Sequence, residues 1–187
     1  MSDIEQKIMD ASLKVFSQNG YRNATTKAIA MEAGVNESTL FRKFKNKENL
    51  FDSVIDSNRE KVDKELNLLL SKNNNEDPEK SLDFILDSIC TIMKNNYELL
   101  RILVHENNRI KYGTRIDMFS MIIVKHLQPF KHEKDIINLE ILAIAIFSFF
   151  FVVQYKNINS HVTETINISE KMIYDQFKEY CARVLQI

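Results

Sequence analysis

The chain has 187 residues, 44% of them hydrophobic and 27% charged, with a net charge of −1 at pH 7. That balance suits a soluble globular fold with a substantial core, and the near-zero charge excludes a generic polyanion binder. Three Gly and two Pro are too few for the turns of a strand-rich fold, so long helices are expected.

The first helix is expected over about 3–19, where Ile4, Ile8, Ala11 and Val15 recur at helical spacing beside Ser12 and Phe16. Asn19-Gly20 stops it, because Gly tolerates the left-handed conformation after a helix. Thr25 and Thr26 offer capping hydroxyls to a short helix over 27–33 that ends at Gly34. Asn36 is placed to cap a third helix over 37–44, with Glu37 facing its positive dipole end. Asn46 opens a fourth, and the stripe Leu50, Val54, Val62, Leu66 and Leu69 carries it to about residue 70. The polar stretch 71–77 (SKNNNED) is a loop, and Asp77-Pro78-Glu79 starts the next helix. Further helices are expected over 78–95, 97–110, 114–127, 134–157 and 166–186. The expected fold is all-α, about nine helices: an N-terminal three-helix domain over 1–47 and a larger helical domain over 48–187.

Two short helices joined by Ala33-Gly34-Val35-Asn36 predict a helix-turn-helix. Close crossing needs small residues at the contact, here Ala30 and Ala33, and the tight turn needs a positive φ, which Gly34 permits. Ile29, Val35, Leu40 and Phe44 fill a small core. Glu37, Ser38, Thr39, Arg42 and Lys43 are left facing outward, a set able to meet base edges and phosphates. Residues 38–47 carry Arg42, Lys43, Lys45 and Lys47 and no acid. Glu37 also reads simply as a partner of the helix dipole.

The stretch Thr26-x-x-Ile29-Ala30-x-x-Ala33-Gly34-Val35-Asn36-x-x-Thr39-Leu40-Phe41-x-x-Phe44-x-x-Lys47-Glu48-x-Leu50, with Phe16-x-x-x-Gly20-Tyr21 upstream, resembles the TetR family of bacterial regulators. The resemblance covers roughly residues 4–55. It implies double-stranded DNA as a partner, bound through Thr25, Thr26, Lys27, Asn36, Glu37, Ser38, Thr39, Phe41, Arg42, Lys43 and Lys47. Thr26 would touch a phosphate, Ser38, Thr39 and Arg42 would lie in the major groove, and Lys47 would sit near phosphate at a helix N-terminus. Phe41 stands where the family usually has Tyr, Lys43 where His or Tyr is common, and Ser38 where Gly is frequent.

Residues 136–153 are apolar around most of a helix, and such a helix must be buried on all sides. The segment 141–153 rises about 20 Å, too short for a hydrocarbon core of about 30 Å, so no membrane span is expected. By resemblance it pairs with the last helix in a homodimer, through Phe147, Phe150, Phe151, Phe177 and Tyr180, although both helices also read as plain core. The same resemblance implies a repressor on a palindromic operator, released by a small apolar or aromatic inducer. Met93, Tyr97, His105, Phe119, Phe149 and Tyr155 are the candidate ligand contacts, each of which also reads as core or surface. No HExxH, GxSxG, P-loop or GxGxxG occurs, so no enzyme is expected. Cys90 and Cys181 stand in no metal or redox spacing, and no cofactor or metal is expected. The start of the chain lacks the basic-then-apolar layout of a signal peptide, so a cytoplasmic protein is expected.

Overall fold

The computed structural model describes residues 2–106, 115–130, 138–158 and 170–187, the side chains of 115–118, 155–158 and 170 excepted. Nine α-helices lie among the described residues: α1 Asp3–Asn23, α2 Thr26–Glu32, α3 Glu37–Phe44, α4 Lys47–Leu70, α5 Pro78–Asn95, α6 Tyr97–His105, α7 Arg115–Leu127, α8 Leu139–Ile158 and α9 Glu170–Leu185. A 3-10 turn, Gln128–Phe130, follows α7. The expected extensions over 107–110, 134–137 and 166–169 lie outside the described residues. Among the described residues no helix is long and apolar enough to cross a membrane.

The chain divides into two compact units, Met1–Val62 with Asn96–Ile110, and Asp63–Asn95 with Lys111–Ile187. The division between the units falls within α4.

In the first unit α1 packs on α2 and α6, and α2 on α3. A capping box starts α1: Glu5 N–H donates to Ser2 Oγ, and Ser2 N–H donates to Glu5 Oε2 at 2.8 Å. Helical geometry in α1 breaks at Gly20, with φ 70° and ψ 165°. This is not the left-handed helical conformation expected there but a region open essentially to glycine alone. Ile8, Val15, Phe16, Ile29, Leu40, Leu50, Phe51 and Val54 form the core. Phe51 meets Phe16 and Tyr21 edge-on, each at 5.1 Å between ring centroids.

In the second unit α8 packs against α5 and α7, and α5 against α9. Pro78 opens α5, and Lys80 N–H donates to Asp77 Oδ1 at 3.3 Å, as the acidic cap requires. Leu142, Ala143, Ile146 and Phe150 turn α8 inward, against the buried α5 residues Leu82, Ile85, Leu86 and Ile89. Burial of side chains of this size is worth about 1.5–3 kcal/mol each.

Candidate nucleic-acid interface

The turn between α2 and α3 is built by hydrogen bonds that the sequence specifies locally. Val35 N–H donates to Ala30 O at 2.9 Å and Gly34 N–H to Met31 O at 3.1 Å. This paired closure is the Schellman motif, which needs a positive φ at its penultimate residue. Gly34 supplies it with φ 65°, and a Cβ there would meet nothing within 4 Å, so the glycine answers a backbone need and not a shortage of space. Ile29 and Leu40 are buried beneath the turn, while Val35 and Phe44 are half-buried.

Thr25 caps α2, accepting from Ala28 N–H at 3.1 Å. Asn36 stands at the start of α3 in extended conformation but makes no side-chain cap, contrary to expectation. The reason is local: Thr39 N–H, the donor such a cap would use, is taken at 2.9 Å by the Asn36 carbonyl.

Along α3 the residues at helical spacing Ser38, Phe41 and Arg42 are exposed, buried Leu40 lies opposite, and exposed Lys45 follows the helix. Phe41 is 43% exposed, a large apolar ring on an otherwise polar face. Thr39 is half-buried. Lys45 has φ 67° and ψ −47°, and Asn46 N–H closes back onto Phe44 O at 2.8 Å. That is a γ-turn of the rare, strained hand, held by a lysine directly after the helix. Asn46 then caps α4, accepting from Asn49 N–H at 2.7 Å.

Besides Thr25, four of the expected DNA contacts are engaged within the chain. Thr26 Oγ1 donates to Glu37 Oε1 at 2.5 Å, joining the starts of α2 and α3. Lys43 Nζ lies 3.1 Å from Glu5 Oε1. Lys47 Nζ donates to Tyr21 O at 2.8 Å and Ala24 O at 2.9 Å, and lies 4.4 Å above the Tyr21 ring centroid. These carbonyls end α1, so the Lys47 ammonium answers the negative end of a helix. Thr25, Lys27, Asn36, Ser38, Arg42 and Lys43 are exposed, and Thr26 and Glu37 are half-buried.

Two further residues position this unit and were not foreseen. Glu5 holds Lys43. Glu106, following α6, accepts from Tyr21 N–H at 2.8 Å through the Oε1 that also lies 3.3 Å from where a Gly20 Cβ would stand.

The other expected sites separate. Of the proposed ligand contacts, Phe149 lines a cavity. Met93 and Phe119 are buried, and Tyr97 and His105 are exposed residues of the first unit. Tyr155 falls outside the described side chains. Of the expected dimer contacts, Phe150 is 1% exposed and Phe149 stacks on Phe177 at 3.8 Å, so Phe150 is consumed by its own chain. Phe147, Phe151 and Phe177 are half-buried, and Tyr180 is exposed. Ile141 (66% exposed), Ile144 and Val152 (55% exposed) form the outer stripe of α8 instead. Among the described residues no group of three His, Cys, Asp or Glu converges as a metal site would require.

Residues 8–54 match the model of bacterial regulatory proteins of the tetR family. The HTH-type transcriptional regulator YvkB of Bacillus subtilis (strain 168) is 42% identical over 55 residues, 29% of each chain. The nucleoid occlusion factor SlmA of Photorhabdus laumondii is 31% identical over 123 residues, 63% of this chain and 60% of that one. The chain therefore spans less than two-thirds of either relative. The fold extends further than the sequence likeness. The fatty acid degradation regulator FadR from Bacillus halodurans superposes with a TM-score of 0.73 at 15% identity, covering 99% of this chain and 95% of that one. A TetR-family transcriptional regulator from Mesorhizobium loti superposes at 0.71 with 14% identity, covering 98% and 95%. Residues 8–54 are thus a helix-turn-helix domain of the kind found in bacterial regulatory proteins of the tetR family, and the described chain shares the fold of a TetR-family regulator.

Proposed function

We propose that the chain is a sequence-specific DNA-binding regulator, a homodimeric repressor on a palindromic operator that a small ligand releases. The observation that carries the DNA-binding part is the exposed stripe Ser38, Phe41 and Arg42 on a helix whose other side is anchored by Leu40, with exposed Lys45 directly after it. A hydroxyl, a guanidinium and an ammonium suit base edges and phosphates, and Phe41 offers an apolar contact for a thymine methyl. Lys43 joins this set when it leaves Glu5. The regulatory descriptions of the relatives support the same reading.

Self-association draws support from the apolar stripe of Ile141, Ile144 and Val152 on α8, with Met172 and Tyr180 exposed on α9. A two-fold pair of α3 helices about 34–36 Å apart would read a palindrome in successive major grooves.

Selection of bound duplexes from random DNA tests the reading. A palindromic consensus is expected, and Arg42→Ala should cost about 1–3 kcal/mol and relax preference at one base pair of each half-site. Recovery of no consensus, with Arg42→Ala binding as tightly as the parent chain, overturns it.

A further inference from the structure

We propose that the cavity walled by α5, α8 and α9 binds a small aryl carboxylate, with Lys94 and Lys171 facing its carboxylate group. The proposal rests on the ligand-responsive reading above and gives it a site and a ligand chemistry.

The cavity has a volume of about 250 Å³. That is room for one ring and a short acid tail. Its floor is apolar, made by Phe149, Phe150 and Val153 of α8. The floor is also fixed in place: Phe149 lies against Phe177 with ring planes 6° apart and meets Phe150 edge-on at 5.2 Å. A flat aromatic wall, braced by these ring contacts, is complementary to a flat ligand.

The polar groups come from α5 and α9. Asp87 and Tyr174 satisfy one another, the phenol donating to Asp87 Oδ1 at 2.5 Å. Burial, and then this carboxylate, raise the Tyr174 pKa, so the phenol stays neutral and keeps donating. Lys178, also on α9, pairs with Asp83 at 2.7 Å. Lys94 and Lys171 line the cavity and, among the described residues, have no ion-pair partner. Among the described residues, two ammonium groups without an ion-pair partner and one engaged carboxylate make the lining net positive. A cationic lining over an aromatic floor is complementary to an anion carried on an apolar ring.

The test uses the full chain, 3-phenylpropionate as probe and 3-phenylpropanamide as its neutral isostere, with titration calorimetry. One acid per chain is expected, with the amide binding about tenfold more weakly. Lys94→Gln and Lys171→Gln should each weaken the acid by up to about fivefold, the scale of an exposed ion pair, and leave the amide unchanged. Val153→Trp, which fills the cavity, should abolish binding of both. No saturable binding of the acid up to millimolar concentration, or equal affinity for acid and amide, overturns the proposal. Release of operator DNA separates it from the regulator reading. An acid that binds with this dependence but leaves DNA bound supports the site and removes the inducer role. Release by a compound indifferent to Lys94, Lys171 and Val153 keeps the regulator and overturns this cavity as its ligand site.

Discussion

Lys43 of α3 and Glu5 of the first turn of α1 are joined at 3.1 Å, across 38 residues of chain. The pairing has a consequence for DNA binding, because an ammonium answered by a carboxylate in the free protein gains less from a phosphate. Glu5→Gln keeps an acceptor for the Ser2 N–H and removes only the charge. The variant is expected to bind DNA more tightly at low salt, and to steepen the dependence of log affinity on log salt by about one. Fluorescence anisotropy across a potassium chloride series reads both. An unchanged slope would show that Lys43 does not reach a phosphate.

The same carboxylate sets an acid limit. The Ser2 N–H, and second the Lys43 ammonium, hold the Glu5 pKa down to about 2 from an ordinary 4.5. A depressed folded-state pKa contributes stability that is fully present above the unfolded value and lost as pH falls through the folded one. The contribution of Glu5 should therefore be complete above about pH 4.5 and disappear toward pH 2. Carboxyl carbon shifts followed by NMR check this directly. Lys43→Met should raise the Glu5 pKa only part of the way back, since the larger cause is the capping N–H. Full recovery to the ordinary value would refute that ranking.

Lys47 makes a different prediction from the one its position suggests. Its ammonium closes the end of α1 by binding Tyr21 O and Ala24 O, both partly buried. Lys47→Ala leaves those carbonyls without this donor, at a cost of about 1–3 kcal/mol. For a chain of this size each kcal/mol lowers Tm by about 2–4 °C. Thermal melting should show that loss, while the salt slope of DNA binding, measured well below both midpoints, stays that of the parent chain. A slope lower by about one with Tm unchanged would return Lys47 to the phosphate.

These contacts mark what the sequence could and could not reveal. The turn at Gly34 was legible because its demands are local: two small residues, one positive φ and the apolar spacing of Ile29, Val35 and Leu40. The capping box Ser2-x-x-Glu5 is equally local and could have been read from its spacing. Lys43 with Glu5, Lys47 with Tyr21 and Glu106 with Tyr21 lie 38, 26 and 85 residues apart, and no periodicity connects them. The failed cap at Asn36 turned on which acceptor Thr39 N–H chose, a matter of backbone geometry. In α8 the limit was of another kind. A helix apolar on every face carries no phase, so its pattern cannot separate the inward Phe150 from the outward Ile144.

The phase of α8 leads to the last prediction, which separates burial within the chain from burial between chains. Phe150 is 1% exposed and packs beside Tyr174 and Phe177, so Phe150→Ala should cost about 3–5 kcal/mol and lower Tm irrespective of protein concentration. Ile144 faces outward on the same helix, in line with Ile141 and Val152. Ile144→Glu should leave the helical content and the monomer fold intact, because an exposed charge has no desolvation to overcome. If the outer stripe is the self-association surface, the same change puts two like charges close to the two-fold axis of an apolar contact and splits the dimer. Light scattering at several concentrations distinguishes the cases. The expected result is a folded monomer for Ile144→Glu and a destabilised dimer for Phe150→Ala. A dimer of undiminished affinity in Ile144→Glu would exclude this stripe as the interface.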